Sequence, residues 1–153
     1  MAELTDEERT WHRKQAASLF NLTWDYMEKE DRSPEEDDTM INASHASRYH
    51  WQLVGDAKNL SVGEWQLSRV YSILGRAEPA QYHAKRCLCV TEAGDCSPFH
   101  VAYAHEAMAR SAKVAGDSEA AARHVALARE AAKGIKTQED RKLVEADLGT
   151  IYV

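Results

Sequence analysis

Apolar residues along this chain return every three or four positions, and no segment alternates apolar with polar residues long enough to make a strand. Cut by start and stop signals, that periodicity predicts seven helices at about 5–31, 34–55, 61–75, 77–93, 97–115, 117–133 and 137–150. The start signals are specific. Ser33-Pro34 and Ser97-Pro98 each set an N-cap serine before a proline, whose missing amide is harmless in a first turn. Thr5 with Glu8, Ser33 with Glu36 and Ser61 with Glu64 have capping-box spacing, and Thr137 with Asp140 is a shorter-armed version. Gly55, Gly75, Gly94, Gly116 and Gly134 fall where helices should stop. Short connections make neighbouring helices antiparallel. The expected fold class is all-α, a single domain of about seven helices.

An internal repeat refines that expectation. Aligning Gly75 with Gly116 sets an offset of 41 residues, at which Arg69 meets Arg110, Ala80 meets Ala121 and His83 meets His124. In one hairpin the notable positions are Leu67, Ser68, Tyr71, Gly75, Ala80, Ala84 and Cys87. In the next they are Met108, Ala109, Ala112, Gly116-Asp117, Ala121, Val125 and Ala128. A large apolar residue, a small one, a turn glycine and further small residues in a second helix resemble the tetratricopeptide repeat. The likeness covers residues 61–133 and departs from the family's 34-residue period and closing proline. It implies a tetratricopeptide-like array: an N-terminal helical pair at 5–55, two hairpins at 61–133 and a capping helix at 137–150. A plain antiparallel bundle is the alternative.

Composition narrows the function classes. The 153 residues are 44% hydrophobic and 29% charged, ordinary for one globular core. The net charge of -6 argues against non-specific nucleic-acid binding. No run approaches a membrane span, and the acidic start MAELTDEERT lacks an apolar leader core, so a cytoplasmic protein is expected. Three cysteines without framework spacing imply free thiols.

Catalytic signatures are missing where they first suggest themselves. In HASRYHWQLVG, His45 and His50 are five residues apart and point from different sides of a helix; His45 and Tyr49 share one. HEAMA at 105–109 lacks the second histidine of a zinc-protease motif, leaving Glu106 and Arg110 as an i, i+4 pair on the helix surface. His83 and Cys87 have metal-compatible spacing, with His124 as the third ligand such a site would need, but Cys87 falls where the repeat needs a small buried residue. No catalytic residue, metal ligand or cofactor is therefore assigned.

The resemblance also implies an orientation. First helices of such repeats line a concave groove for an extended peptide or a partner helix, with the residue after the small packing position pointing into it. Here that residue is Arg69, then Arg110. Trp65, Tyr103, Glu106 and Lys113 join them, with Val62 and Ser72 beyond, and His45 and Tyr49 approach from the preceding helix. Two arginines beside aromatic surface suit an acidic peptide; equally, they suit a tie to Glu64, Glu106 or other acids. The runner-up is a small-molecule or metal-dependent enzyme gathering His45, Arg48, Tyr49, Arg69 and His105. A third reading is a structural homodimer.

Overall fold

Five helices start on a side chain that accepts a first-turn amide: Thr5, Ser33, Asp56, Asp117 and Thr137. Such caps satisfy amides the helix itself leaves open. The computed structural model describes residues 3–152. It contains α1 (Asp6–Glu28), α2 (Pro34–Val54), α3 (Ala57–Ile73), α4 (Ala77–Ala93), α5 (Pro98–Val114), α6 (Ser118–Ala132) and α7 (Gln138–Leu148). There is no strand among the described residues. The all-α expectation is borne out.

Three starts and stops differ from expectation. Helix α3 begins four residues early, because Asp56 and Asn59 form the capping box and not Ser61 and Glu64. Ser61 lies inside the helix, bonded to Thr91 at 2.7 Å, and Glu64 is buried. Ser97 holds His100 Nδ1 at 2.9 Å and caps no amide with its side chain. Gly75 and Gly116 do take left-handed backbone, φ 70° and 80°, and the next amides donate five residues back, Arg76 to Tyr71 and Asp117 to Ala112. At the end of α4, however, Asp95 is the left-handed residue, φ 47°. Gly94 serves close approach instead: a Cβ there would stand 2.3 Å from that of Ala57.

The helices pair as α1/α2, α3/α4 and α5/α6 hairpins that stack in order. Helices α1, α3, α5 and α7 contact one another in sequence and form an inner layer; α2, α4 and α6 back them. Small residues permit the stacking. Between α5 and α6 the buried positions are Ala102, Ala109, Val125, Ala128 and Ala132, closed at the end by Val144, Leu148 and Ile151. Deeper in the stack Trp65 packs with Ala84, Cys87, Ala104 and Ala107. Among the described residues no helix is long and apolar enough to cross a membrane.

Candidate functional site

The inner layer carries a stripe with the 41-residue offset: Trp24 on α1, Trp65 on α3, Glu106 on α5 and Asp147 on α7. Trp24 meets Trp65 on the next inner helix, and Trp65 meets Glu106 on the one after. The rings of Trp24 and Trp65 lie 5.7 Å apart and tilted by 32°. The Trp65 indole N–H donates to Glu106 Oε2 at 2.7 Å. Glu106 is 0% exposed, so its charge must be met locally. Arg69 donates to its Oε1 at 2.9 Å and Arg110 donates to the same oxygen at 2.6 Å. Asp147 completes the belt. It accepts from Tyr103 OH at 2.7 Å and stands 4.0 Å from Arg69, while Arg110 donates to the Asp147 carbonyl at 3.1 Å and to Thr150 Oγ1 at 2.7 Å. Two guanidinium groups thus face two carboxylates. Burial lowers Arg69 from its ordinary value, and burial together with the Asp147 bond raises Tyr103.

The arginines are therefore ties in the first instance, with side chains only 19% and 16% exposed. The expected surface pair of Glu106 and Arg110 forms, but with a carboxylate buried at the centre of a network. Around that belt the inner face has two hollows. The first, about 200 Å³, is almost wholly apolar and is lined by Phe20, Trp24, Val62, Trp65, Phe99, Tyr103 and Leu143, with Ser61, His100 and Asp147 as its polar members. Leu143 stands at its rim, 51% exposed. The second is lined by Arg69, Ser72, Ile73, Arg110, Lys113 and Thr150, closed by Met27, Val114, Ile151 and Tyr152. Ser72 Oγ is buried there with no hydrogen-bond partner among the described residues.

Of the residues singled out from sequence, Trp65 and Tyr103 line the first hollow, Arg69, Arg110 and Lys113 line the second, and Glu106 lies beneath both. His45 and Tyr49 do not reach this face. They sit on α2, an outer helix, because the inner helix preceding α3 is α1. His45 instead meets Tyr71 OH at 2.9 Å and lies 5.4 Å from the His83 ring; Tyr49 packs on His50. Phe20 and Trp24 fill the place expected of them. Extending the 41-residue offset one step each way, from Trp65 to Trp24 and from Glu106 to Asp147, is the signal that would have found the outer members.

The five residues of the alternative enzyme reading are not gathered in one place, although His45 and Arg48 both neighbour the Glu64–His83 pair. Arg48 donates to Glu64 at 3.0 Å, Arg69 is on Glu106, and His105 meets His124 Nδ1 to Nδ1 at 3.1 Å between α5 and α6. His83, Cys87 and His124 also part company: His83 bonds Glu64 at 2.7 Å, and Cys87 bonds the Ser61 carbonyl. Burial pushes the Cys87 thiol up to about 12. Burial alone would raise Glu64, but hydrogen bonds from His83 and Arg86 and the charge of Arg48 outweigh it and hold it low. Among the described residues no three His, Cys, Asp or Glu side chains are placed to hold a metal ion.

No protein-family model matches the chain, and neither characterised proteins nor solved structures give a significant match.

Proposed function

We propose that the inner face is a non-enzymatic binding surface for a peptide segment of a partner protein, used as in the tetratricopeptide arrays the sequence resembles. The observation that carries the proposal is the pair of neighbouring hollows, one aromatic and one cationic, on the same helical layer. The aromatic hollow takes the anchor side chain. Burying a Leu- or Phe-sized group there contributes about 2–3 kcal/mol. Selectivity for an acidic neighbour comes from exposed Lys113 and from the outer edges of Arg69 and Arg110, whose inner edges are held by Glu106.

The helix register sets a spacing. The hollows lie around Trp65 and Ser72–Ile73 on α3, and around Tyr103 and Lys113 on α5. At 1.5 Å rise per residue their centres are separated by roughly 12 Å. An extended peptide advances about 3.3 Å per residue, so anchor and carboxylate should be about four residues apart.

The test is selection of random peptides displayed on phage against the wild-type protein and against Leu143→Glu. Leu143 is at the rim and half exposed, so the substitution spares the core. Enriched peptides should carry an apolar or aromatic anchor about four residues from an acid, and should lose binding to Leu143→Glu at unchanged melting temperature. Peptides that bind both proteins equally would refute the proposal.

A further inference from the structure

The anchor hollow is unusual in what its walls offer. Phe20, Trp24, Trp65, Phe99 and Tyr103 contribute five aromatic side chains. Trp65 and Tyr103 stand at 81° and Phe99 and Tyr103 at 61°, while Trp24 and Trp65 are tilted by 32°. The polar tips of two of them are already engaged. The Trp65 N–H is on Glu106 and the Tyr103 hydroxyl is on Asp147, so the lining meets a guest almost entirely with ring and side-chain carbon. The charge on the wall is the Asp147 carboxylate. Aromatic faces attract cations through the ring quadrupole, and desolvation strengthens the effect. Trp65 already exhibits it, since the Arg69 guanidinium lies over its ring at 5.8 Å. That arginine and Arg110 are together offset by Glu106 and Asp147.

We infer that the aromatic hollow is a cage for a quaternary ammonium group, borne by a trimethylated lysine of the partner peptide and bound through the rings beside the Asp147–Arg69 pair. An unmethylated ammonium is disfavoured, because its three strong donors would lose water and find few acceptors in an almost apolar lining. A trimethylammonium has no N–H to satisfy and presents methyl groups to the rings. The inference rests on the inner face being a peptide site, and it adds the chemistry of the anchor.

The full chain, labelled with nitrogen-15, is titrated with choline and with the neutral alcohol in which carbon replaces choline's quaternary nitrogen. Both probes have the same shape, so any difference in affinity reports the charge. Choline should shift the Trp24 and Trp65 indole signals and bind about tenfold tighter than the alcohol. Trp24→Leu, or Phe99→Leu should the first variant not fold, should remove most of that preference while the alcohol still binds. N-acetyl-trimethyllysine amide should bind at least as well as choline and clearly better than its unmethylated counterpart. Equal binding of choline and alcohol overturns the cage and leaves an apolar anchor site. Binding by neither overturns the cage, while the peptide reading stands or falls on the phage selection. Choline binding without trimethyllysine binding overturns the peptide-borne source.

Discussion

Replacing Glu106 by glutamine tests the charge belt on which the inner face is built. The glutamine keeps the size of the side chain and one carbonyl oxygen. It also turns an amide, itself a donor, toward guanidinium donors, and removes the charge that Arg69 and Arg110 share at 2.9 and 2.6 Å. Breaking a buried ion pair from one side costs about 3–5 kcal/mol. The arginines here are 19% and 16% exposed and retain Asp147 nearby, which places the loss at the low end, about 3 kcal/mol. For a chain of this size that is a fall of about 6–12 °C in melting temperature. Thermal and urea unfolding followed by helical circular dichroism measure it. Adding Arg69→Met should recover about 1 kcal/mol by removing one stranded charge, so the double variant costs less than the sum of its parts. A fall of under about 2 °C for Glu106→Gln, or strictly additive costs, would refute a belt held together by that carboxylate.

Other consequences are as direct. Gly94→Ala forces a Cβ to within 2.3 Å of Ala57 Cβ at the α3–α4 junction and should cost about 1–3 kcal/mol in urea unfolding, although Gly94 itself has an unstrained φ. Burial lowers His45, His50, His100, His105 and His124 below 6.5, so the unfolded chain binds more protons than the folded one as pH falls below that value. Stability is therefore full above about pH 6.5 and declines toward the folded values, with a second loss below 4.5 as depressed Glu64 protonates. Equal melting temperatures at about pH 7.5 and about pH 5.5 would contradict this linkage. With an aromatic disulfide reagent, exposed Cys89 should react at once and buried Cys87 only on unfolding; prompt reaction of Cys87 would mean that the α3–α4 packing is open.

Most of the secondary structure was legible because caps are local. Thr5 with Glu8 and Ser33 with Glu36 form the boxes their spacing suggests. The same logic misplaced the start of α3, since Ser61 and Glu64 have the spacing too but are needed elsewhere. Glu64 is the buried acceptor for Arg48, His83 and Arg86. Layer assignment was harder. A helix reads as amphipathic from whichever side it is buried, so nothing local said that α1 and not α2 lies beside α3 on the inner face. That ambiguity sent His45 and Tyr49 to the groove and hid Phe20 and Trp24. The stripe of Trp24, Trp65, Glu106 and Asp147 holds one identity at the offset, Trp24 with Trp65, and is hidden beyond it because its chemistry changes from aromatic to acidic along the array. The repeated arginines and the i, i+4 pair of Glu106 with Arg110 are legible in sequence; the commitment of Arg69 to Glu106 depends on a contact between α3 and α5.

The proposed peptide surface is the face of α1, α3, α5 and α7. The four indole N–H signals provide the most direct measurement of it. Trp24 and Trp65 line the aromatic hollow, whereas Trp11 packs on His12 and His50 between α1 and α2. Titration with a selected peptide should move the Trp24 and Trp65 signals saturably and leave Trp11 in place. A peptide that shifts Trp11 while Trp24 and Trp65 stay still would put the binding surface on the wrong side of the molecule.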